Sequence, residues 1–298
     1  MELYRTRDGS HSDADLAASL EPLGLEGACL LVYSRLISFG RFFREEAVIR
    51  TLDVLQEAVG PAGTVCVVCY TFSGYHNEVF DPAETKSAVG ALSEVARKEP
   101  GFVRTVHPIY SNVCRGKAAA ELARRQRPDT CFGPGSFFDE FGKVPKAKVL
   151  LLGTNLSATT IYHAYDQKFQ APGRFLKQFQ ARIREKGVER ELQFDAFVKD
   201  YDFYAGERMN CLGRLDAALT ELGTLRRSKF AGDEISVLDE ADFRAGHHAG
   251  LTTDQLYFLC ATKAEWEGYY LKNHTRLFHG QLDPTKLEAF RKVAALPC

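Results

Sequence analysis

Apolar and polar positions along the first half of the chain follow two different periods. Three apolar runs have the length of buried strands and end in polar loops: ACLLVYS (28–34), TVCVVCY (64–70) and KVLLLGT (148–154). Between the first two, apolar residues recur at helical spacing over 45–59, and the turn sequence GPAG ends that helix. A strand, a helix and a strand in this order predict a parallel pair with a right-handed crossover. The pattern therefore predicts an α/β fold.

The remaining segments complete the predicted layout. We expect a loop over 72–87, an irregular-to-strand segment at RTVHPIYSNVCRG, and helices at 14–20, 90–98, 118–125 and 159–169. Beyond Pro172, FLKQFQARI and VERELQF flank the turn residues REKG, which predicts an antiparallel hairpin inserted into or appended to the sheet. The predicted sheet is therefore mixed. After the hairpin we expect a helix at 211–223, a short strand and helix start at EISVLDEADF, and closing helices at 256–271 and 284–296.

Composition places these elements in one globular domain over 1–298. The chain has 298 residues, of which 45% are hydrophobic and 26% charged, without an internal repeat or a disordered linker. We divide the domain into an α/β core at about 20–170, and the hairpin with the closing helices at about 171–298.

Net charge and hydropathy exclude some partners. The 38 Lys and Arg residues against 39 acidic residues give a formal net charge of -1, so no global basic field favours a nucleic-acid backbone. The charged N-terminus lacks the apolar stretch of a signal peptide, and no segment approaches the about 18 apolar residues of a membrane span. We therefore expect a cytoplasmic protein without nucleic-acid or membrane partners.

The eight cysteines are interpreted as buried free thiols, because several lie within apolar runs. Cys66 and Cys69 form a CxxC, but residues three apart on a strand face opposite sides and cannot chelate one ion. His247 and His248 are adjacent and point in divergent directions in most backbones. We therefore predict no metal, and a metal-dependent hydrolase would need a ligand spacing that the histidines do not supply.

The segment LLGTNLSATTIYHAYD carries the most informative pair of chemical groups. His163 and Asp166 are three residues apart on a predicted helix and share one face. A histidine is the natural proton acceptor near neutral pH, and an adjacent carboxylate orients its ring and stabilises the imidazolium. Two interpretations remain open from the residues alone: a general base with its orienting acid, or a histidine that caps or packs the helix.

Two other segments carry candidate ligand contacts. In RTVHPIYS, Arg104 suits a phosphate, whereas His107 is as well explained by a hydrogen bond to the backbone as by a ligand. In YSRLISFG, hydroxyl and backbone donors follow a strand at Ser34, Ser38 and Gly40. Serines at strand ends are also common in turns without a ligand, so both segments leave two interpretations open.

Five segments occur in order along the chain: LVYSRLISFG, VIRTLDVLQEAVGPAGTVCVVCYTF, FDPAETKSAVGALSEVARKEPGFVRTVHPIYSNVCRG, FGPGSFFDEF and KVLLLGTNLSATTIYHAYD. Together they resemble the signature blocks of the aminoglycoside 3-N-acetyltransferase family. The resemblance covers about residues 20–170 and continues more faintly through PGRF, LQFDAFVKDYD and EISVLDEADF to about 245. It implies a mixed α/β fold distinct from the common small acetyltransferase fold, and direct acyl transfer from acetyl-coenzyme A in a ternary complex.

The resemblance also implies roles by motif position. His163 becomes the general base, with Asp166 where the family has glutamate, and we place the Thr71 hydroxyl or backbone donors at the oxyanion. Coenzyme A is placed against residues of several loops: Ser34, Arg35, Ser38, Gly40, Tyr70, Thr71, Arg104, His107 and Ser111. Substrate contacts fall on Asp81, Ser157, Thr160 and Asp166.

We therefore predict an N-acetyltransferase that moves acetyl from acetyl-coenzyme A to a primary amine of an amino sugar. Asp166, the near-neutral charge and Ser157, where the family usually has Asp or Asn, favour a nucleotide-linked amino sugar of polysaccharide synthesis. The basic hairpin from Arg174 to Arg190 would then face a diphosphate, although such a charge run is also typical of a solvated surface. An aminoglycoside 3-N-acetyltransferase and a non-catalytic binding relative remain the alternatives. A homodimer would agree with the family.

Overall fold

Strands and helices alternate through most of the chain. The computed structural model describes residues 1–42, 44–200, 212–253 and 257–258. The strands are β1 (Glu2–Arg5), β2 (Ser10–Ser12), β3 (Cys29–Ser34), β4 (Arg41–Phe42), β5 (Thr64–Val68), β6 (Val79–Phe80), β7 (Val103–Arg104), β8 (Asn112–Gly116), β9 (Ala147–Leu152), β10 (Arg174–Glu185), β11 (Val188–Lys199), β12 (Arg226–Phe230) and β13 (Asp233–Asp239). The α-helices are α1 (Asp13–Leu20), α2 (Glu45–Val59), α3 (Ala91–Lys98), α4 (Ala119–Arg125), α5 (Phe137–Phe141), α6 (Tyr162–Lys168), α7 (Gly213–Glu221) and α8 (Glu240–Thr253).

The central sheet of the described chain has seven strands, in the order β12-β13-β9-β3-β5-β8-β7. β3 runs parallel to both β5 and β9, and α2 makes the connection from β3 to β5. This confirms the predicted parallel pair. β3, β5 and β9 are buried along nearly their whole length, as expected for strands covered on both faces. Their carboxyl ends meet at one edge of the sheet, where ligands of open α/β sheets bind.

Two hydrophobic layers pack against opposite faces of this sheet. Successive residues of one strand fall in different layers, so that Leu31 belongs to one layer and Leu30 to the other. Cys66 and Cys69 likewise lie in different layers, which confirms that the CxxC faces both sides of the sheet. The cysteines of the described chain are buried and free: Cys29, Cys66, Cys69, Cys114 and Cys131.

The predicted hairpin is present but does not join the central sheet. β10 and β11 pair antiparallel over the twelve residues of each strand. β10 also pairs in parallel with β6, which lies within the predicted loop over 72–87, and these three strands form a separate sheet. The inward side chains Ala181, Ile183 and Phe194 are buried against the core and fix this placement. The central sheet is mixed for another reason: β8 and β13 run antiparallel to their neighbours.

Several short or polar strands were not predicted. β1, β2 and β4 form a three-stranded sheet, and β12, with the sequence RRSKF, lies at one edge of the central sheet. A basic edge strand has no apolar run to indicate it. The strand and helix start predicted at EISVLDEADF are β13 and α8. The predicted closing helices lie outside the described residues, apart from 257–258. No helix of the described chain is long and apolar enough to cross a bilayer.

Candidate active site

The site is built where the central strands β3 and β9 end. After Leu152, the last residue of β9, the chain turns through the 3-10 helix Leu156–Ala158 into α6. Tyr33, near the end of β3, accepts a hydrogen bond from the backbone N–H of Ile161 at 3.0 Å. The N–H groups at a helix start have no partner within the helix and need one when they are buried. Tyr33 therefore ties the start of α6 to the central sheet.

His163 and Asp166 make the predicted contact on α6. His163 Nδ1 lies 3.3 Å from Asp166 Oδ2, as side chains three residues apart on one helix face can. The His163 side chain is 17% exposed and the Asp166 side chain 5%. The rings of Tyr162 and Phe132 pack against the imidazole, with centroid distances of 4.0 and 5.5 Å. Aromatic rings therefore cover much of the His163 imidazole, and part of its side chain stays exposed to solvent.

Arg174, the first residue of β10, completes this pair and was not predicted as a site residue. Its Nη2 lies 2.8 Å from His163 Nδ1 and 2.9 Å from Asp166 Oδ2, and its side chain is 3% exposed. A guanidinium carries donors and no acceptor, so Arg174 donates to both partners. The sequence contained one signal for it, the segment PGRF of the family resemblance, but no local pattern showed what the arginine would meet.

His247 on α8 also reaches the site. Its Nε2 lies 3.1 Å from Asp166 Oδ1, and its side chain is fully buried. His248 is exposed, which confirms that the two adjacent histidines diverge. From the sequence we considered these two histidines only as metal ligands, and we did not predict the contact of His247 with Asp166. Within the described residues, no group of three or more His, Cys, Asp or Glu side chains could hold a metal ion.

Charge around Asp166 keeps Asp166 ionised and His163 neutral. Burial acts to raise the pKa of Asp166, but the Arg174 guanidinium and the contacts from His163 and His247 outweigh it and hold that pKa well below its usual range. Burial, and then the positive charge of Arg174, lowers the pKa of His163 to about 3. His163 is therefore uncharged at neutral pH, with one protonated ring nitrogen and one that carries a lone pair.

The loop after β3 lies at the same edge of the sheet as α6. Ser34 ends β3, and the Arg35 side chain is exposed. Ser38 donates a hydrogen bond from Oγ to the Arg35 carbonyl at 2.8 Å. Gly40 has a structural role, because an added Cβ would lie 2.3 Å from the carbonyl oxygen of Arg5. Ser34, Arg35 and Ser38 stay predicted coenzyme A contacts, whereas the close approach of β1 explains the glycine.

Arg104 and Ser111, both predicted coenzyme A contacts, make hydrogen bonds within the protein. Arg104 donates to protein oxygens from each of its three nitrogen atoms: Nε to Ser111 Oγ at 3.2 Å, Nη1 to the Thr85 carbonyl at 2.5 Å and Nη2 to the Cys69 carbonyl at 3.2 Å. Ser111 is fully buried and donates to the same Cys69 carbonyl at 2.6 Å. The guanidinium therefore joins β5 to the segment before α3, and this arrangement argues against a phosphate contact.

His107 and Thr71 are also turned into the protein. His107 is fully buried, and its Nδ1 accepts hydrogen bonds from the backbone N–H groups of Ile109 at 3.1 Å and Tyr110 at 3.0 Å. This is the backbone role that the sequence left open. The buried Thr71 hydroxyl donates to the Pro108 carbonyl at 2.7 Å. The Thr71 hydroxyl proton and His107 Nδ1 are thus used within the protein, whereas His107 Nε2 is buried without a hydrogen-bond partner among the described residues. A contact of either residue with coenzyme A or an oxyanion stays a prediction.

The other predicted contacts divide into two groups. Ser157 is exposed on the 3-10 helix before α6, and the Thr160 carbonyl accepts a hydrogen bond from the His163 backbone N–H at 3.0 Å. Thr160 therefore lies next to the candidate base, and Ser157 lies in the segment that leads into α6. Tyr70 is buried, and the Asp81 carboxylate accepts from a backbone N–H two residues further on at 2.9 Å. The Tyr70 hydroxyl lies 3.4 Å from that of Tyr33, which holds the start of α6, whereas Asp81 shows no contact with His163 among the described residues.

Comparison with known proteins shows what the chain as a whole is similar to. The family model for aminoglycoside 3-N-acetyltransferases matches residues 31–246. Aminoglycoside N(3)-acetyltransferase VII of Streptomyces paromomycinus is 28% identical, over 63% of this chain and 71% of its own. The solved structure of AAC-IIIb, a binary complex with CoASH, has a TM-score of 0.67 at 22% identity and covers 80% of this chain and 96% of its own. Sisomicin-bound AAC-VIa has a TM-score of 0.71 at 22% identity and covers 80% and 97%.

The solved structures share the mixed α/β fold at low identity, whereas the family model spans most of the sequence. The matched segment contains His163, Asp166 and Arg174 and ends one residue before His247. The co-substrate of the matched family is acetyl-coenzyme A, and its members are N-acetyltransferases. The chain therefore belongs to the aminoglycoside 3-N-acetyltransferase family.

Proposed function

We propose that this protein transfers the acetyl group of acetyl-coenzyme A to the 3-amino group of an aminoglycoside. The observation that carries the proposal is the neutral, partly exposed His163 in contact with ionised Asp166 on α6. A general base beside the carboxyl ends of the central strands is what amine acylation requires, because an amine must lose a proton as it attacks a thioester. The names of the relatives supply the acceptor class.

Acyl transfer then proceeds in one complex without an acyl-enzyme. The unprotonated amine attacks the thioester carbonyl, a C–N bond forms, and His163 accepts the proton that the nitrogen loses. The C–S bond breaks next, and coenzyme A leaves as a thiol after the thiolate takes up a proton. Asp166 stabilises the imidazolium that His163 becomes, at 3.3 Å from its Nδ1. General-base catalysis of this kind contributes roughly 10²- to 10⁴-fold.

Two features that favoured a nucleotide-linked amino sugar in the sequence no longer distinguish it from an aminoglycoside. Asp166, although shorter than the family glutamate, still reaches His163. The exposed arginines of the hairpin are paired across its strands, namely Arg182 and Arg184 with Glu189, and Arg190 with Glu185. Paired and exposed charges are typical of a solvated surface. The aminoglycoside alternative is therefore the better supported of the two acceptor classes.

Thiol release from acetyl-coenzyme A, measured with purified protein on two panels, tests the proposal. One panel holds aminoglycosides with a free 3-amino group, each matched by a derivative with that amine blocked. The other panel holds nucleotide-linked amino sugars. We expect turnover on the free aminoglycosides and none on the blocked derivatives. Turnover confined to the sugar nucleotides would overturn the acceptor class, and silence on both panels with acetyl-coenzyme A bound would favour the non-catalytic relative.

A further inference from the structure

The contact between Arg174 and His163 determines where the imidazole proton sits. Arg174 Nη2 lies 2.8 Å from His163 Nδ1. Because a guanidinium has no lone pair to offer, Nδ1 must accept this hydrogen bond and cannot carry a proton. A neutral imidazole has one ring proton, so in this state the proton is on Nε2.

Nε2 is also the nitrogen that an acceptor amine would meet. Nδ1 faces Asp166 and Arg174, whose side chains are 5% and 3% exposed, whereas the His163 side chain is 17% exposed. The open edge of the ring therefore carries Nε2. A protonated Nε2 donates a hydrogen bond but cannot accept a proton. The arrangement is thus a resting state in which the base is blocked.

Asp166 and Arg174 compete for the same ring nitrogen. Asp166 Oδ2 lies 3.3 Å from His163 Nδ1, and that same oxygen lies 2.9 Å from Arg174 Nη2. The carboxylate needs a protonated Nδ1, whereas the guanidinium needs a bare one. The Arg174–Asp166 ion pair already exists in the resting state. If the guanidinium shifted slightly, so that it kept Asp166 but left His163, Nδ1 would be free to carry a proton and donate it to Asp166.

We propose that Arg174 is a positioning residue that controls which nitrogen of His163 carries the proton, and that its release of Nδ1 turns His163 into a base. In this step Nε2 loses a proton to solvent and Nδ1 takes one from solvent, so the net charge of the ring is unchanged. Nδ1–H then donates to Asp166, and the Nε2 lone pair faces the acceptor. The catalytic consequence rests on the proposed function, whereas the position of the proton does not.

Charged or titratable groups on four elements surround the imidazole. Asp166 lies on the same helix, Arg174 on β10, and Lys199 opposite Arg174 on β11. Burial and the charge of Arg174 lower the pKa of Lys199 to about 8. His247 on α8 contacts the far oxygen of Asp166. Removing Arg174 takes away a positive charge and leaves the negative charge of Asp166 less compensated, and both changes favour a protonated His163.

Nitrogen-15 NMR of the His163 ring in the full chain, without substrate, tests the proposal. At pH 7 we expect an unprotonated Nδ1 and a protonated Nε2 in the unmodified protein. In Arg174→Met we expect the proton on Nδ1 and a higher His163 pKa. Arg174→Lys keeps the charge and should keep the low pKa. Arg115→Gln is the matched control, because Arg115 pairs with Asp53 at 3.0 Å, and it should leave the His163 spectrum unchanged.

The pH profile supplies a second readout. If the His163 pKa in Arg174→Met returns to near 6.5, kcat/KM should fall about fourfold between pH 8 and pH 6 through protonation of the base. The acceptor amine titrates equally in both reactions, so the readout is the ratio of kcat/KM between Arg174→Met and the unmodified protein, which should fall about fourfold from pH 8 to pH 6. A protonated Nδ1 in the unmodified protein would overturn the proposal, whether or not the variant folds. An Arg174→Met spectrum identical to that of the unmodified protein would also overturn it. Failure of acetyl transfer would affect the proposed function and leave the NMR result standing.

Discussion

The Tyr33 hydroxyl lies 3.0 Å from the backbone nitrogen of Ile161 and joins the central sheet to the helix that carries His163. Tyr33→Phe leaves that buried N–H unpaired, so we expect the free energy of unfolding to fall by about 1–3 kcal/mol, and kcat to fall with it. Urea unfolding and thiol release measure the two effects. Tyr4→Phe is the matched control, because it removes a buried hydroxyl that lies 3.0 Å from Thr51 Oγ1 on α2. Equal losses of kcat in both variants would contradict this role of Tyr33.

His163→Ala removes the candidate base. We expect kcat to fall by roughly 10²- to 10⁴-fold, while the Kd of acetyl-coenzyme A, measured by calorimetry, stays unchanged. His248→Ala is the control, because that histidine is exposed on α8. A folded His163→Ala variant with full turnover would remove His163 from the mechanism.

His107 makes the stability of the protein depend on acid pH. Burial lowers its folded pKa to about 3, against about 6.5 in the unfolded chain. Below about pH 6.5 the unfolded chain therefore binds a proton that the folded protein does not, and the free energy of unfolding falls as the pH falls. The fall for one such histidine approaches about 1.4 kcal/mol per pH unit.

His107→Asn should remove this contribution. Between pH 6 and pH 4 we expect a shallower dependence of the free energy of unfolding on pH, by about one proton. Part of the slope remains, since His163 also has a lowered pKa. Urea titrations at several pH values measure it, and above pH 7.5 the His107 contribution to the slope should vanish. An unchanged slope in the variant would show that His107 is not buried as a neutral ring.

Gly40→Ala tests whether Gly40 is required by the close approach of β1, in addition to its predicted contact with coenzyme A. Gly40 has a φ of +98°, and a Cβ there would lie 2.3 Å from the Arg5 carbonyl oxygen. Gly90 has a similar φ of +110° with nothing within 4 Å of an added Cβ, so Gly90→Ala is the matched control for backbone strain. We expect Gly40→Ala to lower the thermal unfolding midpoint more than Gly90→Ala. Equal midpoints would mean that the approach of β1 does not require the glycine.

Arg182→Glu tests whether the hairpin binds an anionic substrate. Arg182 Nη1 lies 3.3 Å from Glu189, and Nη2 donates to the Asn77 carbonyl at 3.2 Å. We expect the KM of the acceptor to stay within about twofold, and the free energy of unfolding to fall by less than about 1 kcal/mol. A large rise in the KM of nucleotide-linked sugars alone would restore the diphosphate contact.

The sequence predicted those elements whose signal is local. β3, β5 and β9 are continuous apolar runs because both of their faces are buried, and α2 has a clear helical period. The contact of His163 with Asp166 follows from their spacing on one helix. β6 could not be predicted in this way, because it pairs with β10, which is distant in the chain. β12 pairs with the adjacent strand β13, but its polar sequence RRSKF has no apolar run to indicate it.

The site residues that the sequence did not predict also depend on contacts between distant parts of the chain. Arg174 and His247 reach Asp166 from β10 and α8, and only the packing of these elements on α6 brings them together. Arg104 illustrates the same limit from the other side: its guanidinium suits a phosphate by chemistry, but the sequence could not show the carbonyl oxygens to which it donates. Residue type indicates what a side chain can do, whereas tertiary structure decides which partner it meets.

Two buried cysteines of the central sheet can report how fast its strands separate. Cys66 on β5 and Cys114 on β8 face each other in the ladder, both without exposed surface, and burial raises the pKa of the Cys66 thiol. Alkylating reagents attack the thiolate, so these two sulfurs become labelled only when the strands part. The rate of their modification would time that separation directly, and the same chemistry that counts released coenzyme A would report how long the fold stays closed.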